Sequence, residues 1–274
     1  MNTPATDRPQ PAAAEPTNAD NTNPDAMTLD PMIHEPTRSA LPDGHGESTG
    51  HGEHGEHPAG EALAVAMKPL LRGWLHLVLA PLCLIGCLVL ALLADTTPAR
   101  VGALVLGATA TMLFGTSALY HRRYWSPRAD TILRRLDHSN IYLIIAGTYT
   151  PLALTMLDPP KTQILLWSIW GCALLLVLFR VLWTGAPRLL YTPLYVVMGL
   201  AAVFFLGDFW AVSPTATILI CCGGACYIVG AVFYALKRPH LAPAVFGFHE
   251  LFHVCTILGF ICHWIAIVFS IYAG

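Results

Sequence analysis

Residues 246–273, FGFHELFHVCTILGFICHWIAIVFSIYA, decide the fold. The run holds one acid, Glu250, and no Lys or Arg, and it exceeds the ~20 apolar residues a helix needs to cross a bilayer. Near its start stands His249-Glu250-Leu251-Phe252-His253. Histidines at i and i+4 share one helical face, one turn apart, where both imidazoles can reach one metal ion. The literal pattern H-E-x-x-H is also the zincin signature, in which the Glu serves as general base. Ionisable groups inside a membrane helix are costly and mark function by default. The competing reading is that both histidines hydrogen-bond neighbouring helices.

The rest of the chain agrees with a membrane protein. It has 274 residues, 55% hydrophobic and 12% charged, with a mean hydropathy of +0.55. That excludes an ordinary soluble globule, and a nucleic-acid partner is not expected. Charge is unevenly placed: residues 1–62 carry eleven acids against Arg8 and Arg38, while residues 63–274 carry thirteen basic residues against six acids. The first stretch is rich in Pro, Ala, Asn, Asp and Gly, so it is read as a disordered acidic tail preceding the membrane domain. It shows no basic region followed by an apolar core, so no signal peptide is expected. Its His45, His51, His54 and His57 form a His/Gly/Glu repeat that either binds metal weakly or is a solvated linker. All eight cysteines fall in apolar segments, which argues for packing rather than disulfides.

Seven apolar segments are expected, at about 74–94, 99–120, 140–157, 163–183, 189–210, 215–236 and 246–273. The fold class is therefore an all-α bundle of seven transmembrane helices. Pro151 and Pro193 lie inside segments and should kink them. Trp125, Trp183, Trp210, Tyr191 and Tyr272 fall near segment ends, as interfacial aromatics do. Eleven basic residues, among them Arg122, Arg123, Arg128, Arg134 and Arg135, sit on one side against Arg100 and Lys161 on the other. That asymmetry puts the N-terminus in the cytoplasm and the C-terminus outside, in a bacterial inner membrane.

This topology brings separated residues to one depth. Ser117 and His121 end the second segment, Asp137 and His138 precede the third, and His249 and His253 begin the seventh. His121, His249 and His253 supply three neutral nitrogens, the number a catalytic Zn²⁺ site uses while keeping a fourth position open. Asp137 would hold a water there or ligate directly; otherwise it is a helix N-cap or a partner of Arg134 or Arg135. Ser117, one turn before His121, would orient water or substrate; otherwise it bonds the carbonyl four residues back. His76 shares the depth but has no same-face partner, and His263 lies about 15 Å further along the axis than His253, so it is expected to hydrogen-bond within the bundle.

At GTSALYH (115–121), LDHSNIYLIIAGTYTP (136–151), LYVVMG (194–199) and HELFH (249–253) the chain resembles the haemolysin III branch of the progestin and adipoQ receptor family. The resemblance covers residues 70–274 and not the tail. It implies seven membrane helices and a cytoplasmic-side zinc on His121, His249 and His253, with Asp137 holding a water and Ser117 beside it. Eukaryotic receptors of that family are associated with ceramide amide hydrolysis, and bacterial members are named for haemolysis. Three functions compete: a zinc hydrolase of a membrane-lipid amide or ester, an intramembrane zinc protease using Glu250, and a non-enzymatic pore or sensor with structural zinc. The protease reading lacks a recognisable aspartate ligand, and the pore reading lacks a continuous polar stripe.

Overall fold

Short helix-opening signals recur along the chain, and each one begins a helix. In the computed structural model, which describes residues 73–183, 185, 187–239 and 246–272, Thr96, Ser126 and Ser213 are N-caps whose hydroxyls accept backbone N–H bonds three residues on. A proline sits in the first turn of each of these helices, where its missing N–H costs nothing. The helices are α1 (Trp74–Leu93), α2 (Thr97–Arg122), α3 (Pro127–Met156), α4 (Pro159–Leu182), α5 (Arg188–Gly199), α6 (Leu206–Val212), α7 (Pro214–Leu236) and α8 (Phe248–Tyr272). A tighter 3₁₀ turn, Leu200–Phe205, joins α5 to α6. All described residues belong to the unit His57–Gly274; the expectations for the tail and for Lys68 and Arg72 lie outside them.

Among the described residues, six stretches are long and apolar enough to cross a membrane: α1, α2, α4, Leu189–Val212, α7 and α8. Their outward faces carry large apolar side chains, such as Leu82 at 58% exposure, Trp167 at 82% and Phe204 at 86%. A water-soluble surface would not sustain patches of that extent. The expected third span, α3, does not meet the same standard of apolarity. It begins at Pro127 rather than near Asn140, so the five-arginine loop is largely helix. From Asp137 to Met156 none of its residues is exposed.

The reason is its place in the bundle. Sequential helices α1–α4 pack on their neighbours, α7 packs on α8, and α3 also touches α5, α6 and α8. A helix walled by protein can carry buried Asn140, Thr148 and Thr150: Thr148 and Thr150 donate to Ile144 O and Ala146 O one turn back, and Trp170 Nε1 donates to Thr150 Oγ1 at 3.1 Å. Asn140 Nδ2 donates to Met112 O and Thr116 Oγ1, both at 3.1 Å, which fixes α3 against the last turns of α2. Close approach continues at Gly102, where a β-carbon would fall 2.6 Å from Pro151 Cα. Tyr149, on α3, donates to Gly199 O and accepts from Ala202 N at 2.7 Å, so it holds the 3₁₀ turn.

One aromatic expectation is overturned. Tyr191 is 3% exposed, not an interfacial residue; it packs with Tyr195 and Tyr234 inside the bundle. Of the others, Trp183, Trp210 and Tyr272 are at least half exposed, and Trp125 is partly buried with its Nε1 donating to Leu119 O at 3.2 Å. The eight cysteines are all free thiols, as expected.

Candidate metal centre

The last turn of α2 and the first two turns of α8 meet at one end of the bundle and bring three imidazoles together. His249 Nε2 lies 3.2 Å from His121 Nε2 and 2.9 Å from His253 Nε2. One ligand atom of each residue falls within 4.8 Å of the other two, so the group could hold a metal ion. A tetrahedral site with bonds of ~2.0–2.1 Å separates its ligand nitrogens by about 3.3 Å, close to the spacing seen. His121 is 7% exposed and His253 4%. Three lone-pair donors turned on one point, shielded from water and without competing carboxylates among them, fit a divalent metal of zinc's preferences.

The acids of the sequence reading separate here. Asp137 is neither an N-cap, which is Ser126, nor the partner of Arg134, which pairs with Asp130 at 3.8 Å. Its Oδ2 lies 3.6 Å from His121 Nε2, at the edge of the three-histidine group. The reason is register: α3 starts more than two turns earlier than hydropathy indicates, so Asp137 sits within the helix and faces α2. Glu250 is 2% exposed, and its Oε2 accepts from Gly247 N at 2.8 Å. Gly247 precedes the first helical residue, so Glu250 ties down the start of α8 in the manner of a capping box. Ser117 is buried at 2% on the face of α2 that lines the adjoining cavity.

That cavity has a volume of about 380 Å³. Ser117, Asp137, His249 and His253 line one part of it, while Leu113, Ile144, Leu152, Val203 and Ile228 line others. A polar, metal-capable end thus opens into a mostly apolar chamber, the arrangement expected for an amphipathic ligand.

Sequence reasoning passed over two features. His76, set aside for want of a same-face partner, stacks on His253 from a different helix, with ring centroids 4.0 Å apart and planes 11° from parallel. A second network runs from His138, whose Nδ1 donates to Arg134 O at 2.7 Å. Its Nε2 is then the acceptor for Tyr234 Oη at 3.3 Å, and Tyr191 Oη lies 3.3 Å from Tyr234 Oη. Tyr234 stands beside His249, ring centroids 5.8 Å apart, so this network backs the metal-capable histidines. The nearest signal in the sequence was the adjacency of His138 to Asp137. His263 does hydrogen-bond within the bundle, Nε2 donating to Ile220 O at 3.1 Å.

The family profile described as "Haemolysin-III related" matches residues 65–264. The chain belongs to the haemolysin-III related family. Among its relatives, "Hemolysin-3 homolog" of Bacillus subtilis (strain 168) is 34% identical over 135 residues, covering 49% of this chain and 63% of the relative. "Hemolysin-3" of Bacillus cereus is 31% identical over 144 residues, covering 52% and 65% respectively. The matched stretch thus spans just under two thirds of each relative. As a haemolysin-III related protein this chain is a multi-pass membrane protein with bacterial relatives, and its three-histidine group lies inside the matched region.

Proposed function

We propose that this protein is a zinc-dependent hydrolase of a membrane-lipid amide or ester, with seven membrane-spanning helices and its site facing the cytoplasmic leaflet. One observation carries the reading: three imidazoles converge, and two of them, His249 and His253, line a cavity that is otherwise mostly apolar. His121, His249 and His253 would hold the ion. When bound, zinc would supply Lewis acidity and a water acidified to a pKa of about 7. Asp137 Oδ2 is placed to take the proton of an attacking water and pass it to the leaving nitrogen or oxygen. Ser117 Oγ would donate to the carbonyl oxygen as negative charge develops there. The acyl chain would lie along Leu113, Ile144 and Leu152, with the head toward the three histidines. Counting α3 as the seventh span rests on its length and its protein-walled position, and the cytoplasmic orientation rests on the basic residues gathered at that end.

The protease reading is the less supported, since Glu250 is buried and its Oε2 accepts from Gly247 N. The test is fatty-acid release from N-acyl and O-acyl lipids by the purified, metal-loaded full chain. Release by the wild type and not by His249→Ala is the expected result. No release from any acyl lipid at full metal occupancy would favour a structural metal, in keeping with the non-enzymatic reading.

A further inference from the structure

His76 is a polar side chain of the site to which the hydrolytic reading gives no task. It is 3% exposed and lines the cavity. Neither Nδ1 nor Nε2 reaches a hydrogen-bond partner among the described residues. The ring is nevertheless held firmly: besides the stack on His253, Phe114 meets it edge-on at 5.0 Å. The backbone beneath it is pinned as well. Gly73, the N-cap of α1, has φ of 80° and backs onto α2, where a β-carbon would come within 2.9 Å of Arg122 Cγ and 3.1 Å of His121 Cβ. Arg122 in turn lies 4.1 Å over the ring of Trp74. The first turn of α1 is therefore fixed against the end of α2, and His76 is presented to the cavity in one position.

A buried imidazole with neither nitrogen bonded carries an uncompensated desolvation cost. Buried polar groups in native proteins nearly always have partners. A phenylalanine would fill the slot, keep the stack on His253 and avoid that cost. We propose that His76 is a ligand-contacting residue. In the occupied cavity its neutral imidazole hydrogen-bonds the polar centre of the bound lipid, one nitrogen donating to a carbonyl oxygen and the other accepting from an N–H or hydroxyl. The side chain then selects lipids that carry both a donor and an acceptor beside the acyl chain, such as a hydroxyl-bearing N-acyl amine, over lipids that carry neither. The inference rests on the hydrolase reading for the class of ligand but not for turnover.

The test uses the full chain with its metal, in one detergent, and two probes matched in length. One is N-(2-hydroxyethyl)hexadecanamide; the other is a dialkyl ether lacking the carbonyl, N–H and hydroxyl. His76→Phe keeps the ring contacts, and His76→Gln restores a donor and an acceptor without the ring. His76→Phe should retain wild-type metal content and ether affinity but bind the amide about tenfold more weakly or worse, and His76→Gln should recover part of the loss. If His76→Phe does not fold, His76→Leu carries the same comparison. The proposal is overturned by undiminished amide affinity, by equal losses for amide and ether, or by loss of metal in both the Phe and Gln variants, which would make His76 a support of the histidine cluster. A wild type that binds the amide no better than the ether also overturns it. The expected pattern without any fatty-acid release would sink the hydrolase reading alone.

Discussion

The two carboxylates of the sequence reading, Asp137 and Glu250, differ in what already occupies them. Glu250 Oε2 takes the N–H of Gly247, a tie that glutamine can also make. Asp137 Oδ2 faces the metal-capable group at 3.6 Å from His121. We expect Asp137→Asn to keep its metal and lower hydrolysis by roughly 10²–10⁴-fold, while Glu250→Gln stays near wild type. The measurement is initial rate of fatty-acid release with metal content determined on the same samples; the reverse ranking would restore the zincin-like base. The histidines make a separate prediction. His253→Ala should lose about one equivalent of metal, because two remaining imidazoles bind far more weakly than three, whereas changing His45, His51, His54 and His57 together to Asn should leave that equivalent in place. Metal that vanishes only in the second variant would show that the tail was the binder. The convergence of His121, His249 and His253 was legible from i,i+4 spacing and shared depth. The stack of His76 was not, because face-to-face contact between different helices leaves no trace in local spacing.

At the scale of the helix, hydropathy located the lipid-facing spans to within a few residues and misplaced the one that lipid does not face. The α3 helix starts at the N-cap Ser126 with Pro127 behind it, and that signal was present in the chain, but apolarity marks contact with lipid rather than helicity. The break at Leu200–Phe205 was not legible either, since it is held from outside by Tyr149. Packing of α2 on α3 brings backbone against backbone at Gly102. A methyl group there would meet the Pro151 backbone at 2.6 Å, and a helix backbone cannot turn aside as a side chain can. Gly102→Ala should therefore cost about 1–3 kcal/mol, read as a lower midpoint of thermal unfolding in detergent. Gly171→Ala, which meets nothing within 4 Å on α4, should leave the midpoint unchanged or slightly raised. Equal behaviour of the two variants would mean that α2 and α3 are free to separate.

At the scale of the whole molecule, the site depends on an odd number of crossings. His121 ends α2, Asp137 lies in the first half of α3, and His249 and His253 begin α8; these meet only if α2 runs toward the end of the bundle from which α3 and α8 set out. The geometry of the three histidines satisfies that condition, and the same end gathers Arg122, Arg123, Arg128, Arg134, Arg135, Lys237 and Arg238. Basic residues near span ends remain on the cytoplasmic side, so the histidine site and the N-terminus should face the cytoplasm and the C-terminus the opposite side. Reporter fusions after residue 160, in the first turn of α4, and after Gly274 should both report the non-cytoplasmic side, while one after Arg238 should report the cytoplasm. If the fusion after Gly274 reported the cytoplasm while that after residue 160 did not, a span after α3, such as α5–α6, would fail to cross. If all three were inverted, the bundle would stand but the acyl lipid would have to come from the outer leaflet, and the substrates tested for hydrolysis would change accordingly.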